Sequence, residues 1–278
     1  MGAARASATT GAATTADSFG SAAGRGQAPE RGRDGRERDG PRRRDGLTRL
    51  LIRAVFFDVD FTLIYPGPTF QGEGYRRSCA AHGIEVDPAK FDAATAASSF
   101  ILDEVEEQIY THDVFIHYTA SIIEHMGGRG ATVVDAARAI YEQWSVNHHF
   151  EMYDDVAPVL EALQKRGLIV GVISNSHRSL DAFREHFSLG NIITVSVSGA
   201  EHGYMKPHRS IFDAALDRAG VKAGEAMMVG DSFKHDIEGA LSAGWHAVLL
   251  RRSGEVPYAL PQNLPVIRTL PDLLPLIT

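Results

Sequence analysis

The sequence has a single cysteine, Cys79, and no apolar run that approaches the roughly 20 residues a membrane-spanning helix needs. A lone cysteine cannot form a disulfide within the chain, so a disulfide framework is excluded and a reducing, cytoplasmic location is expected. The missing apolar run argues against a membrane as partner. Nothing next to Cys79 suggests a nucleophile, and we expect this residue to fill space in the core.

Valine, isoleucine and leucine are all absent from residues 1–46, which contain one aromatic residue, Phe19. Such a segment cannot bury enough apolar surface to fold, and residues 1–47 are therefore predicted to be a disordered N-terminal extension. Their arginine, serine and threonine content faintly resembles a transit peptide, but the amphipathic period of such a peptide is missing.

An excess of positive charge is absent from the rest of the chain. Residues 1–46 hold nine arginines against six acids, which leaves 19 basic and 29 acidic residues, a net charge of −10, for the remainder. Nucleic-acid binding requires a basic face, so no nucleic-acid partner is expected. A bound divalent cation suits this charge balance better.

From residue 47 onward the chain alternates apolar runs with helical patterns. The run Ala54–Phe57 is apolar without alternation, which is typical of a strand buried on both faces of a parallel sheet. Further strands, with helices between them, are predicted at 168–175, 191–197, 226–229, 247–250 and 266–267. This alternation predicts an α/β fold with a Rossmann-like parallel sheet and helices on both of its faces.

Residues 66–150 interrupt the alternation. Apolar residues three and four apart predict a series of helices near 70–82, 88–110, 113–126 and 132–147. A helical block of this length is too long for an ordinary crossover between parallel strands. We therefore predict a helical subdomain at 66–150, inserted into a core formed by residues 48–65 and 151–278.

The ends of the predicted strands carry the polar groups of the chain that most suggest chemistry. Open α/β sheets bind ligands just outside the carboxyl ends of their strands, so these groups are expected to meet at one edge. They are Asp58 and Asp60, Ser174 and Asn175, Lys206 in a later loop, and Asp231 and Asp236. Taken singly, each has a plainer interpretation, because Asn175 or Asp231 could cap a helix and Lys206 could be a solvated surface charge.

Together these groups meet the needs of phosphoryl transfer, which requires a cation, fixed donors and a placed attacking oxygen. Mg²⁺ prefers hard oxygen ligands, and Asp58 and Asp231 could supply them. A lysine with small hydroxyl or amide donors can hold the transferring group. Asp60 lies two residues beyond Asp58 and could protonate the leaving oxygen.

Four segments of the chain, within about residues 53–252, resemble the four motifs of the haloacid dehalogenase-like (HAD) hydrolase superfamily and follow one another in the same order. The segments are Asp58-Val-Asp-Phe-Thr62, Ser174-Asn175, Lys206-Pro207 and Gly230-Asp-Ser-x-x-x-Asp236. The resemblance implies that the insertion at 66–150 is a mobile helical cap over the active site. It also implies that Asp58 is a nucleophile that forms an aspartyl-phosphate and that Asp60 is the general acid and base.

The resemblance implies further roles for the remaining motif residues. Ser174 and Asn175 would bind the phosphoryl oxygens, and Lys206 would steady both the nucleophile and the phosphate. Mg²⁺ would be held by Asp58, the main-chain carbonyl of Asp60 and Asp231, with Asp236 in or just outside that shell.

One position departs from the family pattern: Phe61 stands where the family commonly has glycine. If the backbone there has a positive φ, a phenylalanine adopts it only with strain. Because Asp58 and Asp60 are intact, we expect an altered loop geometry or an aromatic ring facing the cap rather than loss of chemistry.

The function predicted from these features is Mg²⁺-dependent hydrolysis of a small phosphorylated metabolite. Four alternatives stay open: a 2-haloacid dehalogenase, a phosphomutase, a phosphonate-cleaving enzyme, and a binding or regulatory protein that has lost turnover. Family dehalogenases lack the second aspartate and need no metal, so Asp60 argues against the first. A phosphonate-cleaving relative would need a cap lysine, for which the insertion offers only Lys90. His177 follows the Ser-Asn pair and could contact substrate.

Overall fold

The protein is described by a computed structural model that covers residues 51–254 and 259–277. The predicted disorder of residues 1–47 therefore lies outside the described residues. Within the described ranges, every helix is too short or too polar to cross a membrane.

Six strands form one parallel sheet in the order β5-β4-β1-β6-β7-β8, which confirms the predicted α/β class. The strands of the described residues are β1 (Ala54–Phe57), β2 (Ile64–Pro66), β3 (Phe150–Met152), β4 (Ile169–Ser174), β5 (Ile193–Ser198), β6 (Ala226–Gly230), β7 (His246–Leu250) and β8 (Val266–Ile267). All four residues of β1 are fully buried, as its unbroken apolar run predicted. The central strand of the sheet therefore ends directly before Asp58.

Helices pack on both faces of the sheet. The α-helices are α1 (Gly72–Ala80), α2 (Phe91–Ser98), α3 (Phe100–Asp103), α4 (His112–His125), α5 (Val133–Gln143), α6 (Val156–Lys165), α7 (Leu180–His186), α8 (Gly199–His202), α9 (Arg209–Ala219) and α10 (Gly239–Ser242). Val55 of β1 shares an apolar cluster with Leu160 of α6. Phe56, the next residue, points to the other face and packs with Phe212 of α9. The alternation of β1 side chains thus separates two cores, one on each side of the sheet.

The chain leaves the sheet through β2 and returns through β3, and these two short strands pair antiparallel. Helices α1 to α5 lie between them, within the segment 66–150 where helices were predicted. The single helix predicted over 88–110 is wrong: α2 and α3 are separate, and short 3₁₀ turns flank them at Pro88–Lys90 and Glu106–Gln108. Glu107 has a φ of 55°, and a left-handed residue cannot continue a right-handed helix.

The helix predicted over 233–242 is also different in detail. It begins as a π-helical turn, Phe233–Glu238, and continues as α10. This turn follows the end of β6 and carries Asp236, which is buried. The extra residue of a π turn is a common feature of functional sites.

Candidate active site

Lys206 joins two of the predicted acids at the carboxyl edge of the sheet. Its Nζ donates to Oδ1 of Asp58 and to Oδ1 of Asp236, each at 2.6 Å, and to the carbonyl oxygen of Ile173 at 2.8 Å. An ammonium group has three protons, so these three acceptors satisfy it. The side chain of Lys206 is 2% exposed, which rules out the plainer interpretation as a solvated surface charge.

The ionisation states of Lys206 and the two aspartates depend on one another. Burial raises the pKa of Asp58 well above its usual value, and the nearby Lys206 ammonium opposes that rise. Burial alone would lower the pKa of Lys206, but the carboxylates of Asp236 and Asp58 outweigh it and raise that pKa. Lys206 is therefore a fixed cation, and it stabilises the ionised form of Asp58 that nucleophilic attack requires.

The end of β6 places two more carboxylates beside Asp58. The main-chain N–H of Ser232 donates to Oδ2 of Asp236 at 3.0 Å. A Cβ atom added at Gly230 would lie 2.2 Å from the same oxygen, so a glycine is needed for Asp236 to approach the strand end. Asp231 accepts a hydrogen bond from Oγ1 of Thr62 at 3.4 Å. Burial, followed by the charge of Asp236, raises the pKa of Asp231 to about 7.

Asp58, Asp231 and Asp236 each offer a carboxylate oxygen, and these oxygens all lie within 4.8 Å of one another. A cluster of carboxylate oxygens is the donor set of a hard divalent cation. The side chains therefore fit a metal site, with Lys206 neutralising only part of their charge.

The side chains of Asn175 and Ser174 hold the loops of the site in place. Asn175 accepts from the main-chain N–H of Lys206 at 2.7 Å and donates to its carbonyl oxygen at 2.9 Å. Oγ of Ser174 is buried and accepts from the N–H of Ser176 at 3.2 Å. Asn175 thus fixes the backbone from which the lysine reaches the acids. Phosphate binding by these two residues stays a prediction.

Arg178 is a functional candidate that the motifs do not reveal. Its guanidinium is fully buried, and it donates to Oδ1 of Asp60 at 2.9 Å and to the carbonyl oxygen of Trp144 at 3.0 Å. Its Cζ also lies 4.2 Å from the centre of the Phe150 ring. The side chain of Asp60 is held by this arginine and lies outside the three-carboxylate cluster. The available signal was a cation four residues past the end of β4, at the edge that gathers the acids.

Phe61 has a φ of 63°, the left-handed conformation that glycine adopts without strain. Its side chain is 46% exposed and lines a cavity above the acids. The ring centres of Phe61 and Trp144 are 6.5 Å apart, and Trp144 directly follows α5 of the insertion. The predicted ring facing the insertion is therefore present.

The cavity has a volume of about 390 Å³ and lies between the acids of the sheet edge and helices of the insertion. Asp58, Asp60 and Lys206 line one side. Tyr141 of α5 lines the cavity from the insertion, and its ring stacks on that of His177, which follows β4, with the ring centres 4.1 Å apart. Burial, with smaller contributions from His112 and Arg178, lowers the pKa of His177 to about 4, so this imidazole is neutral at physiological pH.

The profile of one protein family, described as haloacid dehalogenase-like hydrolase, matches residues 52–244 of this chain. N-acylneuraminate-9-phosphatase of Mus musculus is 30% identical over 226 residues, which are 76% of this chain and 87% of the relative. Glyceraldehyde 3-phosphate phosphatase of Methanopyrus kandleri is 30% identical over 218 residues, 77% of this chain and 89% of the relative.

Among solved structures, the crystal structure of a HAD phosphatase from Thermococcus onnurineus is similar to this chain. It has a TM-score of 0.57 and 26% sequence identity, and the match covers 81% of this chain and 97% of that one.

Proposed function

The chain belongs to the haloacid dehalogenase-like hydrolase family, and we propose that it hydrolyses a small phosphorylated metabolite with Mg²⁺, through an aspartyl-phosphate on Asp58. The observation that carries this proposal is the position of Asp58. Its carboxylate lies at the end of the central strand, faces the cavity and is bound at Oδ1 by a buried lysine. Its other carboxylate oxygen, Oδ2, is the one proposed to attack phosphorus.

In the first step, an oxygen of Asp58 forms a bond to phosphorus while the bond from phosphorus to the ester oxygen breaks. Asp60 gives its proton to the departing oxygen, so the leaving group departs as a neutral alcohol. Lys206 keeps the attacking carboxylate oriented. Its two 2.6 Å contacts also set the distance between Asp58 and Asp236.

In the second step, water attacks the phosphorus of the aspartyl-phosphate and Asp60 takes up the proton of that water. The bond between phosphorus and Asp58 breaks, which releases inorganic phosphate and restores the carboxylate. Asp60 serves in both steps, so its orientation matters twice. Arg178 fixes that orientation through its 2.9 Å contact and acts as a positioning residue.

Asp58, Asp231 and Asp236, with the main-chain carbonyl of Asp60, are the groups that would hold Mg²⁺. When bound, the cation supplies positive charge that offsets the charge of the transferring phosphoryl group. Ser174, Asn175 and Lys206 would hold the phosphoryl oxygens beside it.

We assign residues 66–150 as the cap and residues 48–65 and 151–278 as the core of this enzyme. Support comes from the paired strands β2 and β3, through which the chain leaves and re-enters the core. Further support is that side chains of both segments line the cavity.

The competing activities have less support in the site. Asp60, which family dehalogenases lack, lines the cavity and accepts a hydrogen bond from Arg178. Lys90, the cap lysine that a phosphonate-cleaving enzyme would need, has a side chain 58% exposed beside Asp87 and is not among the described residues that line the cavity.

The test is phosphate release from a panel of phosphorylated metabolites with Mg²⁺, using Asp58→Asn as the blank. We expect turnover by the wild-type protein, loss of at least about 10³-fold in Asp58→Asn, and loss on chelation of Mg²⁺. Asp213→Asn is the matched control, because Asp213 is a half-exposed acid whose ion-pair partner among the described residues is Arg209 on its own helix. Halide release from 2-haloacids that a chelator leaves unchanged would instead establish the dehalogenase.

A further inference from the structure

The wall that the insertion contributes to the cavity is uncharged. Among the described residues that line it, those from 66–150 are apolar, aromatic or neutral polar, and they include Phe70, Phe115, Ile122, Ile140 and Trp144. The arginines and the lysine of the insertion lie elsewhere: the lining does not include Arg76, Arg77, Lys90, Arg129 or Arg138. From this wall we propose that the substrate is the phosphate ester of an uncharged, largely apolar alcohol of about the size of a phenylalkyl group. This inference rests on the proposed phosphatase function.

Most hydroxyl groups of the wall are already used within the protein. Oγ1 of Thr95 donates to the carbonyl oxygen of Phe91 at 3.0 Å, and Oγ1 of Thr119 donates to that of Phe115 at 2.9 Å. The hydroxyls of Tyr110 and Tyr141 bond to each other at 2.7 Å. A polyhydroxylated leaving group would therefore lose its water and find few free partners, which is costly.

An anionic leaving group meets a second obstacle in the floor of the cavity. Four aspartates line it, Asp58, Asp60, Asp231 and Asp236. Lys206, the cationic side chain that lines the cavity, is bound to Asp58 and Asp236, and in the proposed reaction it serves the phosphoryl group rather than the leaving group. A carboxylate on the leaving group would be buried among like charges without a cation of its own, which strongly disfavours binding.

The wall instead contains aromatic rings that an apolar or aromatic leaving group can contact. The ring of Tyr141 in the wall stacks on that of His177 in the core segment, with the ring centres 4.1 Å apart and an angle of 25° between the planes, and both rings line the cavity. The ring centre of Phe115 lies 6.0 Å from that of Tyr141, and the angle between the two ring planes is 19°. The volume of about 390 Å³ falls within the range of sites for small organic ligands, roughly 300–1,000 Å³, and exceeds what a two-carbon leaving group would fill.

The experiment compares three phosphate esters of primary alcohols, so that the intrinsic reactivity of the leaving groups is similar. They are 3-phenylpropyl phosphate, glycerol 3-phosphate and 4-phosphooxybutanoate, which are apolar, polyhydroxylated and anionic. We expect kcat/KM of the wild-type protein with Mg²⁺ to be at least about tenfold higher for the phenylpropyl ester than for either of the others, because a buried phenyl group contributes more than one tenfold step of binding.

A binding measurement separates this inference from the proposed activity. Calorimetry with Mg²⁺ compares two phosphonates that cannot be hydrolysed as esters, 4-phenylbutylphosphonate and 5-phosphonopentanoate. Tighter binding of the phenyl compound without turnover of any ester would support the apolar preference of the wall but contradict the phosphatase function, and the assignment of a substrate would fall with it. Turnover of the esters together with equal or reversed preference in both assays would overturn the inference and leave the phosphatase function in place.

A pair of variants tests the stacked wall directly. Tyr141→Ala removes the ring that stacks on His177, whereas Tyr141→Phe keeps the ring and removes only the hydroxyl. We expect the ratio of kcat/KM between the phenylpropyl and glycerol esters to fall about tenfold in Tyr141→Ala and to stay near the wild-type ratio in Tyr141→Phe. An unchanged ratio in Tyr141→Ala would contradict the proposal.

Discussion

The two sides of the cavity are built from opposite kinds of residue. The floor, at the carboxyl edge of the sheet, brings together the carboxylates of Asp58, Asp231 and Asp236 around one buried lysine. The wall, contributed by the insertion, contains no charged side chain among the described residues that line the cavity. The floor therefore concentrates charge, and the wall excludes it.

From this difference we expect the floor to determine the reaction and the wall to determine the choice of substrate. The floor costs stability, since burial raises the pKa of Asp58 and of Asp231. Buried carboxylates with raised pKa values destabilise a fold, and they are typical of functional sites. The wall has the composition of a core and stabilises the insertion whatever it binds. Changes in the floor should therefore abolish turnover, and changes in the wall should alter substrate choice.

The largest effect expected is that of Lys206→Met, which breaks the floor. The change leaves the buried carboxylates of Asp58 and Asp236 facing each other without their shared cation. We expect turnover to fall by at least about 10³-fold and the free energy of unfolding to fall by about 3–5 kcal/mol, the usual cost of removing one partner of a buried ion pair. Phosphate release and urea denaturation measure the two quantities.

The control for this variant is Lys165→Met, because the side chain of Lys165 is 77% exposed and, within the part of the chain that the structure describes, pairs with Glu161 one turn away. Its effect on stability should stay below about 1 kcal/mol, as for exposed ion pairs in general. If Lys206→Met were as active and as stable as Lys165→Met, the floor would not depend on its lysine, and the contrast between the two sides of the cavity would lose its basis.

A smaller effect is expected from Arg178→Met, which loosens the link between floor and wall. Without the guanidinium, the side chain of Asp60 is no longer held toward the ester oxygen. General acid catalysis contributes about 10²–10⁴-fold and matters most for poor leaving groups. We therefore expect kcat to fall about 10–100-fold for 3-phenylpropyl phosphate but far less for 4-nitrophenyl phosphate, whose leaving group needs no proton.

Arg178→Lys provides the matched variant, since it keeps a cation but cannot reach Asp60 and the Trp144 carbonyl with a planar fork. Partial recovery of activity on the alkyl ester is the expected result. An equal loss on both esters in Arg178→Met would mean that Arg178 acts only through the stability of the fold, and the positioning role would be wrong.

The floor could be predicted from the sequence because its geometry follows from topology. Each acid lies within a few residues of a strand end, and parallel strands bring their carboxyl ends to one edge. Asp58 after β1 and Asp231 after β6 are neighbours because those strands pair in register. The unusual position of Phe61 could also be predicted, because a bulky residue where the family commonly has glycine is apparent from the sequence.

Arg178 could not be predicted in the same way, because its partners are set by tertiary packing. Asp60 is 118 residues away in the chain and Trp144 is 34 residues away. An arginine shortly after a strand resembles an ordinary surface cation until these contacts are known. The apolar wall could not be predicted for a related reason. The apolar face of α4 has the same periodicity whether it faces a core or a cavity. The left-handed Glu107, near the end of the segment predicted as a helix over 88–110, leaves no mark in the sequence pattern either.

The smallest effect expected is that of Phe61→Gly, at the point where floor and wall meet. A non-glycine residue in the left-handed region is strained by roughly 1–2 kcal/mol, and the greater chain entropy of unfolded glycine offsets about 0.5–1 kcal/mol of the relief. We therefore expect the free energy of unfolding to rise by about 0.5–1 kcal/mol. Loss of the ring that faces Trp144 should at the same time lower the preference for the phenylpropyl ester. Urea denaturation and paired kcat/KM measurements test both.

Ser188→Gly separates the backbone effect from the effect of the ring. Ser188 has a φ of 58°, close to the 63° of Phe61, but it is exposed in a loop and does not line the cavity. This variant should gain similar stability and keep the wild-type substrate preference, because the same strain is relieved without touching the wall. If Phe61→Gly changed stability alone, as Ser188→Gly should, then the ring of Phe61 would have no part in substrate choice and the wall would begin at the insertion.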